Sequence, residues 1–216
     1  MFETRRPVQI PARPAPVQRR GIERVQAILD AAESLLEEHG YEAATLKAIS
    51  DRAGIPIASV YHYFADRHQV DAEVVQRHLS ELDARLAAAM DKPKLRTLRE
   101  AVDAGVDTYL DYFREHPAFL QLWFAGRGPI LNELALAFDE SQAKRFWAFL
   151  IDQNLLRADT PELVAQLAFE AGNRLFDVAF RFTPAGDDET IDEARRLITA
   201  YLETYAKQRR RKTAAS

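Results

Sequence analysis

The stretch that most limits what this chain can become runs from Thr45 to Arg67, TLKAISDRAGIPIASVYHYFADR. Leu46, Ile49 and Ala53 fall at steps of three and four and give a short helix one apolar edge. Gly54 follows at once and suits the left-handed position that closes a helix. Pro56 suits the first turn of the next helix, where a missing N–H costs nothing. Val60 and Phe64, four apart, form the buried side of that second helix and leave Ser59, Tyr61, His62 and Tyr63 for its other sides. Two short helices joined by a glycine turn make a helix-turn-helix, a unit whose second helix lies in the DNA major groove.

The segment resembles the DNA-binding head of the TetR family of bacterial transcriptional regulators. The family pattern is close to T-hydrophobic-x-x-I-A-x-x-A-G-V-S-x-G-x-hydrophobic-Y-x-H/Y-F-x-x-K-x-x-L. Thr45, Leu46, Ile49, Ala53, Gly54, Ile55, Val60, Tyr61, Tyr63, Phe64, Arg67 and Val70 match it in order, within a likeness spanning about residues 20–82. Ser50 stands for the usual Ala, Pro56 for Ser, Ala58 for a frequent Gly and Arg67 for Lys. Pro56 removes a serine cap and its hydroxyl–phosphate contact. The resemblance implies an all-α chain of about nine helices: an N-terminal three-helix domain with the helix-turn-helix, then a helical ligand-binding and dimerisation domain.

Composition agrees with that class. The 216 residues are 47% apolar and include eight glycines, no cysteine and few alternating β-type runs. Lack of cysteine excludes disulfides, thiol catalysis and Cys-ligated zinc, and fits a reducing cytoplasm. No apolar run is long enough to cross a bilayer and the N-terminus lacks a signal-peptide core, so no membrane partner is expected. The formal charge of −4 does not advertise nucleic-acid binding, but a local basic surface suffices.

Residues 1–20 hold four prolines and five arginines and read as a flexible arm, either a solubilising extension or one whose Arg13, Arg19 and Arg20 reach phosphates or the minor groove. A domain over 21–82 follows. Its first helix, from Gly21 to His39, is expected to turn Glu33, Glu37 and Glu38 to water, with Gly40 closing it. Asp66 and Gln69 read as a capping box opening a long helix to about Met90. Its first turn offers N–H groups to a phosphate, with Arg67 adding charge. Lys92-Pro93-Lys94 is a break. The second domain, 83–206, holds helices at 95–115, 119–124, 131–154, from Thr160-Pro161 (cap and first-turn proline) to Phe182, and a last one around Ile191 to Tyr205. A basic tail covers 207–216.

Candidate DNA contacts are Thr45, Lys47, Ala58, Ser59, Tyr61, His62, Tyr63 and Arg67: hydroxyl, imidazole and cationic groups for phosphates and base edges, and a methyl group for thymine. The bland alternative is that Tyr61 and Tyr63 only pack the head. Sixteen of the 21 aromatics lie between Tyr109 and Tyr205. Such rings at helical spacing are mostly core, but the resemblance implies an effector cavity. Tyr109, Tyr112, Phe113, Trp123, Phe124, Phe146, Phe149, Phe169 and Phe176 are its candidate lining, with Asn173 as polar anchor and Arg174 and Arg127 beside it. Asp103, Asp107 and Asp111 share one face and read as a solvated acidic stripe before a cation site. The five histidines lack metal-ligand spacing. No catalytic constellation, cofactor motif or metal set is evident. The resulting expectation is a cytoplasmic, non-enzymatic, homodimeric repressor on double-stranded operator DNA, released by a small apolar or aromatic effector. The alternative is a helical ligand- or protein-binding module that no longer reads DNA specifically.

Overall fold

The computed structural model describes residues 16–91, 95–124 and 128–207, and among them are nine helices and no strand. They are α1 (Pro16–His39), α2 (Leu46–Ala53), α3 (Ile57–Tyr63), α4 (Arg67–Met90), α5 (Leu98–Glu115), α6 (Pro117–Phe124), α7 (Pro129–Asp152), α8 (Glu162–Phe180) and α9 (Asp188–Glu203). Arg13, the Lys92–Lys94 break, Arg127 and residues 208–216 lie outside the described residues.

α1 begins earlier than its apolar period indicates. A proline in the first turn costs no hydrogen bond, and Arg19 pairs with Glu23 one turn on, at 2.9 Å. Arg19 and Arg20 therefore stand on a helix and not in an arm. Ile28, Leu36, Ile49 and Val60 are fully buried and tie α1, α2 and α3 into one small core. Thr45 caps α2, its hydroxyl accepting from Ala48 N at 3.2 Å. Gly54 ends α2 in the left-handed region at φ 65°, where a β-carbon is costly. The Ser50 hydroxyl donates to Ile55 O at 2.7 Å and pins the turn from inside. Pro56 takes the cap position of α3, its carbonyl accepting from Ser59 and Val60. The box at α4 forms with a shift: Asp66 accepts from Gln69 N at 3.0 Å, while Gln69 reaches back to Ala65 N at 2.9 Å.

In the rest of the chain α5 packs on α4 and α9, α8 on α7 and α9, and α6 touches α1, α4 and α5. α8 and α9 approach closely at Gly172, where an added β-carbon would meet Ile198 Cδ1 at 3.1 Å. α8 starts at Glu162, with Pro161 and not Thr160 at its cap position. Thr160 is buried, and its carbonyl accepts from Trp147 Nε1 at 2.9 Å. A two-residue antiparallel clip joins Leu156 to Ala206, with Arg157 N donating to Tyr205 O and Lys207 N to Leu155 O. The acidic stripe on α5 is not merely solvated: Arg195 of α9 reaches both Asp103 and Asp107. Among the described residues no helix is long and apolar enough to cross a membrane, and no His/Asp/Glu group could hold a metal ion.

Candidate nucleic-acid interface and cavity

The exposed side of α3 carries Ile57, Ala58, Tyr61 and His62, residues one turn apart in pairs, with Tyr61 56% exposed. That side is free because Val60 and Phe64 take the opposite one into the core. Thr45 and Lys47 flank it at the start of α2, both exposed. Lys47 pairs with Asp51 at 2.9 Å, but both ends are solvated and such a pair holds little free energy. Ser59 and Tyr63 are half-buried, and Tyr63 packs toward α1, its hydroxyl 3.9 Å from where a β-carbon on Gly21 would sit. α3 itself holds no lysine or arginine, so charge on this face comes from its neighbours.

Arg67 is directed inward. Its Nε donates to fully buried Asp71 at 2.6 Å, and its guanidinium lies 4.6 Å from the centre of the Tyr41 ring, whose hydroxyl donates to the same carboxylate at 3.2 Å. Burial pushes the Asp71 carboxyl up, against the lowering effect of Arg67 and Tyr41. The cation thus braces α4 against the corner after α1.

Between α4, α5, α6, α7 and α8 lies a cavity of about 500 Å³. Tyr109, Phe113, Trp123, Phe124, Phe146, Phe149, Phe169, Asn173 and Phe176 all line it. Tyr112 does not, although the sequence reading places it there. One turn beyond Tyr109 on α5 by less than a full period, its ring rotates toward α4 and is wholly buried. Arg174 is at the wall, paired with Asp177 at 3.4 Å. Sequence reasoning missed Asp139, Gln142 and Arg145, polar lining residues three apart on α7. The available signal was that spacing, interleaved with Phe138, Phe146 and Phe149 on the same helix. Asn173 donates to Asp139 at 2.8 Å. Arg145 pairs with Asp83 of α4, and Gln142 donates to the same carboxylate at 2.6 Å.

Tyr112 belongs to a polar joint between the helix-turn-helix unit and the remaining helices. Its hydroxyl donates to the carbonyl of His78 at 3.1 Å and lies 2.7 Å, within hydrogen-bond distance, from His78 Nδ1. His78 Nε2 stands 2.8 Å from Glu33 Oε1 of α1, and Arg77 reaches Glu33 at 2.5 Å. Glu33 is therefore not turned to water. Burial alone would raise its carboxyl, but the contacts with His78 and Arg77 outweigh that and hold it down to about 2. The His78 ring stacks on Phe119 of α6 at 4.9 Å, and Gln121 of α6 donates to Leu36 O at the end of α1, at 3.0 Å.

Residues 28–74 match the family described as bacterial regulatory proteins, tetR family, and residues 97–202 match the tetracyclin repressor-like C-terminal domain. Among curated proteins the chain is 33% identical over 63 residues to the HTH-type transcriptional repressor KstR of Mycobacterium tuberculosis, covering 29% of each protein. It is 33% identical over 112 residues to the HTH-type transcriptional activator FasR of Mycolicibacterium smegmatis, covering 48% of each. These alignments thus span less than half of either relative. A crystal structure of a TetR-family transcriptional regulator from Streptomyces coelicolor is 32% identical, with a TM-score of 0.65, over 84% of this chain and 99% of that one.

Proposed function

Since this chain belongs to the TetR family of bacterial regulators and is a DNA-binding transcriptional regulator, we propose that it acts in the cytoplasm as a homodimeric repressor whose operator is released by a small, largely apolar ligand. In this reading residues 21–82 are the DNA-binding domain and 83–206 the effector and dimerisation domain. The observation that carries it is the pairing of an exposed α3 face bearing Tyr61 and His62 with an aromatic cavity among the helices that follow. Tyr61 and His62 would meet base edges and phosphates, Ala58 a thymine methyl, and Thr45, Lys47 and Ser59 the flanking backbone. Tyr63 and Arg67 would act mainly by setting the angles of α3 and α4. No step of this function calls for catalysis.

The dimer reading rests on exposed apolar side chains on the last two helices and the turn between them. Leu163 is 57% exposed, Leu167 49%, Phe182 88% and Leu197 47%. Pairing α8 and α9 with their copies would cover them as a four-helix bundle. It would also set two α3 helices about one DNA turn apart, as successive major grooves require.

The release mechanism follows from α6. Trp123 and Phe124 face the cavity, while Phe119 and Gln121 of the same helix touch His78 and the end of α1. A ligand that displaces the two rings would tilt α6 and shift the DNA-binding domain. Release of most operators needs a ligand that favours the non-DNA conformation by several kcal/mol, on the order of 10⁴-fold for a complete reversal. The test is fluorescence anisotropy on DNA flanking the protein's own coding region, at two salt concentrations, against scrambled DNA. Specific, salt-dependent binding that His62→Ala weakens tenfold or more supports the reading. Equal, weak binding to both DNAs removes it and favours a module that no longer reads sequence.

A further inference from the structure

α3 is marked by the side chains it lacks. It reads IASVYHY, with no Lys, Arg, Asn, Gln, Asp or Glu. Base pairs are told apart in the major groove mainly by such side chains: Arg or Lys bonding to guanine, Asn or Gln to adenine, Asp or Glu to the cytosine amino group. The hydrogen-bonding groups of α3 are the hydroxyls of Ser59, Tyr61 and Tyr63 and the imidazole of His62, and of these Ser59 and Tyr63 are half-buried. A lone hydroxyl or imidazole nitrogen makes one bond where a fork makes two, and it discriminates weakly.

The helix presents apolar surface instead. Pro56, Ile57 and Ala58 are consecutive and all exposed, Ile57 at 37%. Ile57 stands one turn before Tyr61, so the two share a side. With Ile55 and Pro56 they line an open recess that spans α2, the turn and the start of α3, with Lys47 and Asp51 also in its wall. Val60 and Phe64 hold the opposite side of α3 in the core, which fixes how Ile57 is presented. In a helix-turn-helix the N-terminal residues of the second helix are the ones that reach base edges. The C5 methyl of thymine is the only methyl group that DNA offers there.

Resting on the reading of α3 as the helix that enters the major groove, we propose that Ile57 is the specificity-determining residue of this interface, and that with Ala58 it selects half-sites by the methyl groups of their thymines. A G·C pair in either orientation would set the Ile57 side chain against a base amino or carbonyl group and strip that group of water without replacing its hydrogen bond. Contacts from Thr45 and Lys47 to the phosphate backbone would add affinity and no sequence information.

The test uses the full chain and needs no known operator. Duplexes that the protein retains are selected from a random pool by repeated binding. The recovered sequence is then rebuilt with deoxyuridine for thymidine at one position at a time. Deoxyuridine keeps every hydrogen-bonding group and lacks only the methyl. Fluorescence anisotropy reads the affinity of each duplex. Loss of one buried methyl contact, at about 0.8 kcal/mol, corresponds to about fourfold in affinity at 1.4 kcal/mol per decade. At least one thymine in each half-site is therefore expected to cost about fourfold on demethylation with the wild type and little with Ile57→Ala, while thymines outside the half-sites cost little with either. Ile57 lies outside the buried core, so Ile57→Ala should keep the wild-type melting curve, and the scan on the wild type refutes the proposal without any variant. A selected half-site that has no thymine, or that tolerates deoxyuridine at every thymine, overturns the proposal and leaves sequence-specific binding in place. A methyl effect of equal size in Ile57→Ala overturns the role given to Ile57. Failure to enrich any sequence over the pool removes the reading of α3 itself, and this proposal with it.

Discussion

Two tyrosines three residues apart on α5 should respond oppositely to the same substitution. Tyr112→Phe removes a hydroxyl that pairs with His78 Nδ1 at 2.7 Å and lies 3.1 Å from the His78 carbonyl, to which it donates. The ring contacts survive the change: His116 at 4.3 Å, Phe119 at 5.7 Å and the Arg85 guanidinium at 4.8 Å from the ring centre. The loss is therefore that of the hydroxyl, and it leaves a buried imidazole nitrogen without its partner. A buried polar group so orphaned costs about 1–3 kcal/mol, which at roughly 2–4 °C per kcal/mol for a chain of this size is a fall in Tm of about 2–12 °C. Tyr109→Phe removes a hydroxyl with no hydrogen-bond partner among the described residues, so its Tm should stay within about 1 °C or rise, because deleting an unsatisfied group relieves its desolvation cost. Circular dichroism melts of the two variants beside the wild type decide the matter. Equal falls, or a Tyr112→Phe variant as stable as the wild type, would refute the assignment of the satisfied and unsatisfied hydroxyls.

Glu33, held at about 2 against an ordinary value near 4.5, contributes stability that is fully present above pH 4.5 and declines as pH falls toward 2. Urea midpoints at pH 6 and pH 3 should therefore differ less in Glu33→Gln than in the wild type. Thr45→Ala removes the cap on Ala48 N and should cost about 1 kcal/mol in urea unfolding, with Thr45→Ser restoring most of it. Leu163→Glu combined with Leu167→Glu puts charge on exposed apolar positions of α8. Light scattering should then report a folded monomer in place of the dimer proposed for the parent, and a dimer that persists would point to another interface.

How much of this was legible beforehand varies with range. Local chemistry was: Thr45 as a cap, Gly54 with its positive φ, and the Asp66–Gln69 box each depend on residues within one turn. The aromatic character of the cavity was legible too, since eight of the nine aromatic candidates stand at its wall, Tyr112 being the exception. What failed depends on where a helix points in space. Tyr112 and Tyr109 look alike in sequence, but a rotation of three residues sends one to α4 and the other to the cavity. Glu33 reads as a solvent residue until α4 brings Arg77 and His78 beside it, and Asp103 reads so until α9 brings Arg195. No local pattern encodes partners that far away. Thr160 misled for a different reason: Pro161 alone accounts for the helix start.

The clip between Leu156 and Ala206 closes the α8–α9 hairpin into a ring of chain. Such pairing between distant positions comes late, after α9 has found its place on α8, because the intervening loop must first be ordered. It also makes a natural gauge. The amides of Arg157 and Lys207 are held only by this clip, bonded to Tyr205 O and Leu155 O. Their exchange with deuterium would time the opening of that hairpin alone, well before the α1–α3 core gives way.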